Sequence, residues 1–71
     1  MLSNPGGITP TQYLGSACVG NVLTHSASVN SGALVFVSGS LLYLTDDYTV
    51  SGKQITFLVS IATDDKITVI Q

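Results

Sequence analysis

The sequence has few charged residues and almost none of the groups that cross-link a small fold. Its 71 residues include four Asp and two Lys, and charged residues make up 8% of the chain, against roughly 25% in ordinary globular domains. Cys18 is the only cysteine and cannot form a disulfide within the chain, and one His with one Cys does not make a zinc site. A chain of this length buries only about 60% of its unfolded surface. We therefore expect oligomerisation, or docking on a larger body, to supply the missing stabilisation.

The lack of basic residues and of long apolar runs also excludes two classes of partner. The net charge is −2 and Arg is absent, whereas nucleic-acid binding needs Lys and Arg against the phosphates. The longest apolar run is residues 33–37, far short of the roughly 20 residues of a membrane helix. The first seven residues lack the basic and apolar regions of a signal peptide. We expect no nucleic-acid or membrane partner, and synthesis in a reducing cytoplasm, which suits a free Cys18.

What the sequence does contain is a series of short β-type runs separated by turn residues. Residues 47–59, DYTVSGKQITFLV, are two such runs joined at Gly52, which predicts a β-hairpin. Residues 33–37 and 41–44 predict a second hairpin, and residues 21–29 and 66–70 predict further strands. We expect an all-β fold, a small antiparallel β-sandwich or barrel of about six short strands.

The first 20 residues differ from the rest, since they hold both prolines and four of the seven glycines. Such a density of chain breakers argues against a long helix or a long regular strand. We divide the chain into an extended N-terminal arm, residues 1–20, and an antiparallel β domain, residues 21–71. One interpretation of the arm is a frayed terminus. The other is an arm that lies on a neighbouring subunit, and its candidate partner-binding residues are the apolar anchors Ile8, Tyr13, Leu14 and Val19.

Alternation along the runs predicts the core. The expected core side chains are Leu34, Phe36, Leu42, Leu44, Tyr48, Val50, Ile55, Phe57, Val59, Ile67 and Val69. Residues 33–37 are apolar without interruption, which is typical of a strand that is buried on both faces.

Residues 33–70 resemble a segment found in bacteriophage tail-fibre and other virion-appendage proteins. The matching stretches are residues 36–37, residues 47–52 (DYTVSG), residues 55–57 (ITF) and residues 65–70 (DKITVI). The turn at residues 38–40 departs from the pattern, because Ser38 stands where Asn is common. The loop before Asp64 is also more apolar than usual, and the resemblance does not reach the arm.

The resemblance implies a structural protein of the virion, made in the host cytoplasm. Because the chain has no long shaft, we expect a capsid decoration or cement protein that binds itself and the major capsid protein. Trimers are common in such appendages, so a trimer is the favoured homo-oligomer. The alternative is a small tail or fibre subunit that contributes to binding a host receptor or glycan.

Catalysis and metal binding have little support in the composition. The pairs Asp46–Asp47 and Asp64–Asp65 are the only carboxylates, and side by side they would offer oxygen ligands to Ca²⁺. The simpler interpretation is that these Asp residues start turns. His25 lacks a third orienting residue for nucleophilic catalysis and is expected to be a strand residue with a solvated or satisfied imidazole. We therefore expect no enzyme activity, no catalytic or metal-binding residues and no cofactor.

Overall fold

The computed structural model describes residues 10–71, which form two antiparallel β-sheets around one core. A short 3₁₀ turn, Gly15–Ala17, follows the first strand. Within the described residues no helix is long and apolar enough to span a bilayer. The all-β prediction is confirmed. The strands are β1 (Pro10–Leu14), β2 (Val22–Thr24), β3 (Leu34–Val37), β4 (Ser40–Leu42), β5 (Tyr48–Ser51), β6 (Gln54–Phe57) and β7 (Lys66–Ile70).

The strands divide into a four-stranded sheet, in the order β1-β7-β3-β4, and a three-stranded sheet, in the order β2-β6-β5. Both predicted hairpins are present, as β3–β4 and β5–β6. The described residues contain seven strands where about six were expected. The additional strand is β1, which lies within the predicted arm and pairs with β7 along its whole length.

The two hairpin turns use different backbone conformations. In β5–β6, Gly52 has a φ of 59° and is the first of two turn residues, an arrangement typical of a type II′ turn. In β3–β4, Ser38 and Gly39 have φ values of 49° and 87°, which is the pattern of a type I′ turn. Ser38 therefore adopts the left-handed conformation at the position where the resembling phage proteins commonly carry Asn.

The core lies between the sheets and contains side chains of both. Among the predicted core residues, Tyr48, Ile55, Phe57, Ile67 and Val69 are buried. Leu42, Leu44 and Val50 are partly buried against them. Two buried residues, Leu23 and Val29, were not among the predicted core residues, whereas Ala33 and Val35 belong to the run that was predicted to be buried on both faces.

The prediction that β3 is buried on both faces is wrong for the isolated chain. Ala33 and Val35 point into the core, whereas Leu34 is 44% exposed and Phe36 is only partly buried. Side chains alternate between the two faces of a strand, so a run of apolar residues always sends half of them outward. Among residues 10–71 no second layer covers that outer half.

The strand predicted at residues 21–29 is shorter than expected, because only β2 (Val22–Thr24) joins the sheet. The segment that follows is a loop, and the last residue of the chain holds it in place. Gln71 donates a hydrogen bond from Nε2 to the Ser28 carbonyl and accepts one at Oε1 from the Asn30 amide, at 2.8 and 3.0 Å. The Val29 amide also donates to the Gly52 carbonyl, which places Val29 in the core.

Candidate interaction surface

The outer face of the four-stranded sheet is predominantly apolar. The strand register places Leu34 beside Ile70, and Phe36 between Thr68 on one side and Leu41 on the other. Leu34 and Leu41 are 44% and 40% exposed, respectively. We call Leu34, Phe36, Leu41 and Ile70 the apolar face.

Two further large apolar side chains of this sheet region are exposed. Leu14, on β1, is 50% exposed and pairs with Lys66 of β7, which separates it from the apolar face together with Gln12 and Thr68. Tyr43 directly follows β4 and is 63% exposed. Single exposed apolar residues are ordinary on protein surfaces, but a contiguous group of them marks an interaction site.

The outer face of the three-stranded sheet has a different chemistry. Its cross-strand rows run from Val22 through Thr56 to Thr49, and from Thr24 through Gln54 to Ser51. Apart from Val22, every side chain in these rows is a hydroxyl or an amide. Hydroxyl and amide groups remain well solvated, so this face has no need of a covering layer. The contrast identifies the four-stranded sheet as the side of the molecule suited to protein contact.

The candidate arm residues occupy different environments. Tyr13 packs against the core, whereas Leu14 is half exposed and Val19 is 83% exposed next to the 3₁₀ turn. Ile8 lies outside the described residues. Leu14 lies on the same side of the sheet as the apolar face, but its cross-strand partner there is Lys66. Partner binding by the arm stays a prediction.

His25 is buried and its imidazole has a hydrogen-bond partner. Its Nδ1 lies 2.7 Å from the Tyr13 hydroxyl, which also accepts a hydrogen bond from the Ser26 amide at 3.1 Å. The Tyr13 hydroxyl has one proton to donate and two lone pairs, so it can bond to the imidazole and to the Ser26 amide at the same time. The expectation of a satisfied imidazole is confirmed, although His25 lies just after β2 rather than within a strand.

The Asp residues with side-chain hydrogen bonds organise loops, as expected of turn residues. Asp47 accepts a hydrogen bond from the Tyr43 amide at 2.9 Å. Asp65 accepts from the Ala62 amide and from the Ser38 hydroxyl, both at 2.8 Å. Both donors stabilise the carboxylate and hold the pKa of Asp65 below its usual value, and the Ala62 amide has the larger effect. The backbone partners lie three or four residues before the Asp, so Asp47 and Asp65 close turns rather than start them.

The part of the chain that the structure describes shows no cluster of metal-ligating side chains and no enclosed cavity. In residues 10–71 no group of three or more His, Cys, Asp or Glu side chains is placed to hold a metal ion. No pocket is found in the same residues. Cys18 is half buried, and desolvation raises the pKa of its thiol, which keeps it in the less reactive protonated form.

Comparison of the chain with protein-family models, with curated proteins and with solved structures finds no match. The resemblance to phage virion appendages therefore depends on the sequence motifs alone.

The apolar face was not recognised from the sequence, although a signal for it was present. The runs LVFV and LLYL are apolar at consecutive positions, and pairing them as a hairpin puts apolar residues on both sides of the sheet. The prediction that residues 33–37 are buried on both faces, with Leu34 and Phe36 in the core, concealed the second face.

Proposed function

We propose that this chain is a structural protein of a bacteriophage particle, a decoration or cement subunit that binds the capsid and its own copies. The single observation that carries the proposal is the apolar face. An exposed apolar layer on one sheet, opposite a hydroxyl-rich layer on the other, suits a subunit that is held in an assembly by one side.

The positions of the phage-like motifs in the fold support the proposal. DYTVSG supplies β5 and its turn, ITF lies in β6, and DKITVI ends in β7. These stretches alternate between core and surface, so the resemblance covers the framework of the domain rather than a variable loop. A β module that recurs in virion appendages is consistent with a role in assembly.

The hydrogen bonds made by the imidazole of His25 and by the carboxylates of Asp47 and Asp65 also favour a non-catalytic role. The imidazole of His25 is bonded to Tyr13, and Asp47 and Asp65 bind loop amides. A nucleophile or general base must be free to reach a substrate proton. These groups instead stabilise the chain's own loops and strands.

Cryo-electron microscopy of intact particles, with this chain traced in the map, tests the proposal. Density at regular positions over the capsid lattice is the expected result. A mass-spectrometric inventory of purified particles in which the chain is absent would contradict a virion role altogether.

A second candidate function is that of a small tail or fibre subunit that helps to bind a host glycan. The observation that favours it is Tyr43, an exposed aromatic side chain of the kind that stacks on sugars. Density confined to the tail or fibre vertex would support this alternative. A glycan array probed with the wild-type chain and with Tyr43→Ala would then show whether binding depends on this ring.

A further inference from the structure

We propose that the apolar face is a homotypic interface, on which the same face of a second copy of this chain packs. This inference rests on the proposed assembly role. It specifies which surface makes the contact and which molecule packs on it. The second copy would supply a third β layer, so that the four-stranded sheet would lie between the core and its neighbour.

The sequence of β3 is the first reason to expect a covering layer. β3 is an interior strand of the four-stranded sheet, with β7 on one side and β4 on the other. Its residues are all apolar, the composition of a strand that is buried on both faces. The chain alone buries Val35 completely but leaves Leu34 44% exposed. A layer over Leu34 and Phe36 would resolve this mismatch.

The near absence of charge on the face makes a second copy an acceptable occupant. In the paired rows of the four-stranded sheet the only ionisable side chain on the outer side is Lys66, which pairs with Leu14 at the margin. Two such faces in contact would enclose leucine, isoleucine and aromatic groups, while each Lys66 would stay at the rim in water. Burying like charges opposes self-association, and this face has almost none to bury.

The size of the face is also suitable. Leu34, Leu41 and Tyr43 each keep at least 40% of their surface exposed, and Phe36 and Ile70 are partly exposed. Together they offer on the order of several hundred Å² of apolar surface, in the range of the largest patch on a typical monomer. A standard interface takes about 800 Å² from each partner. Gln12 and Thr68, in the same row as Phe36, and Pro10, beside Ile70, would supply the remaining area.

The core is small, which favours a second copy of the chain as the occupant of the apolar face. Contact between copies would stabilise the fold wherever the chain is concentrated enough to associate. The described residues contain nine buried hydrophobic side chains and no disulfide. Domains of this length commonly depend on association, and a self-complementary face provides it without another protein. A capsid protein that occupies the same face is the competing outcome of the test.

Sedimentation equilibrium of the full chain, over a wide range of concentration, tests the proposal with a matched pair of variants. Leu34→Lys puts a charge on the apolar face beside Ile70, and Thr49→Lys puts the same side chain on the exposed outer face of the three-stranded sheet. We expect twice the chain mass for the wild type and for Thr49→Lys, since a face that packs on itself gives a dimer. Leu34→Lys should weaken association by roughly tenfold or more, because the contact would bury the charge in an apolar surface.

A milder variant guards against loss of folding. Leu34→Thr with Leu41→Thr keeps β-forming residues and gives the face the hydroxyl chemistry of the opposite sheet. Its circular dichroism should match that of the wild type and its unfolding should remain cooperative, at the lower midpoint expected of a chain that has lost its association. A chain that is monomeric at high concentration, or whose association responds only to Thr49→Lys, would overturn the proposal.

Nuclear Overhauser effects between labelled and unlabelled copies locate the contact directly. In a mixed sample we expect intermolecular signals from Leu34 and Leu41 methyl groups to the same face, and intermolecular signals confined to other surfaces would contradict the proposal. The outcomes also separate the two proposals. A monomer that binds particles through Leu34 would refute the homotypic contact and leave the virion role intact. Association through Leu34 by a chain that does not enter particles would support the homotypic contact and refute the virion role.

Discussion

The hydroxyl of Tyr13 lies 2.7 Å from Nδ1 of His25, and this hydrogen bond joins the two sheets of the molecule. Tyr13 belongs to β1, an edge strand of the four-stranded sheet, whereas His25 directly follows β2 in the three-stranded sheet. The ring centroids are 5.8 Å apart in an edge-on arrangement. The same hydroxyl accepts the Ser26 amide, so one oxygen fixes both the imidazole and the start of the following loop.

Tyr13→Phe should destabilise the chain, because it leaves a buried imidazole nitrogen without its partner. An unsatisfied buried polar group costs about 1–3 kcal/mol, so the urea midpoint should fall accordingly. Tyr43→Phe is the matched control, since it removes a hydroxyl from an exposed ring. Equal midpoints for Tyr13→Phe and the wild type would show that the hydrogen bond contributes nothing to stability.

Gly15→Ala should disrupt the fold much more severely. Gly15 is buried, and a Cβ built on it would lie 1.8 Å from the Ala62 carbonyl oxygen, which is backbone and has little freedom to move. The Gly15 amide also donates to the Asp65 carbonyl at 2.8 Å. We expect a loss of several kcal/mol, enough to remove cooperative unfolding from a domain of marginal stability.

Gly32→Ala is the control for this substitution. A Cβ at Gly32 would be 3.4 Å from its nearest neighbour, and Gly32 is exposed. Thermal unfolding followed by circular dichroism should therefore show a transition close to that of the wild type. If Gly15→Ala unfolds with the same midpoint as Gly32→Ala, the close approach of residues 15 and 62 is not a feature of the native chain.

The difference between what the sequence predicted and what it did not follows from the range of the interactions. The β5–β6 hairpin was predictable because its register follows from a two-residue turn and from local alternation. β1 was not, because its partner β7 lies more than 50 residues away and its Pro10 suggested an irregular segment. The outward orientation of Leu34 was also hidden, since a run without polar residues does not show which face is inside. The Tyr13–His25 contact depends on how the two sheets pack and has no local signature.

Asp65 should make the stability of the chain depend on pH in the acid range. The amide of Ala62 and the hydroxyl of Ser38 donate to its carboxylate and lower its pKa from the ordinary value of 3.8. A group whose pKa is lower in the folded state stabilises the fold above its unfolded pKa. That contribution is lost as the pH falls through the folded pKa. The wild-type free energy of unfolding should therefore decrease as the pH is lowered from about 5 towards 2.

Asp65→Asn should flatten this decrease, because the amide does not titrate. Asp64→Asn removes the same charge from the neighbouring exposed residue and serves as the control. Urea unfolding of the three proteins at a series of pH values provides the measurement. A pH profile that responds equally to both substitutions would assign the effect to net charge rather than to the hydrogen bonds of Asp65.

Deletion of residues 1–9 should leave the fold intact and weaken assembly. The arm was predicted to comprise residues 1–20. Pro10–Leu14 pair with β7, and the Tyr13 hydroxyl forms a hydrogen bond with His25. Removal of the whole predicted arm would therefore also remove a strand. A deletion that stops before Pro10 keeps all of the described structure. Pro10 pairs with Ile70 at one edge of the apolar face, so residues 1–9 join the described chain next to that face.

Sedimentation equilibrium should therefore show weaker association for this deletion. Its urea midpoint should equal that of the wild type at concentrations where both are monomeric, while a deletion of residues 1–14 should lower the midpoint there as well. If the chain without residues 1–9 associates as tightly as the full chain, the contact is made by the sheet alone and the arm plays no part in it.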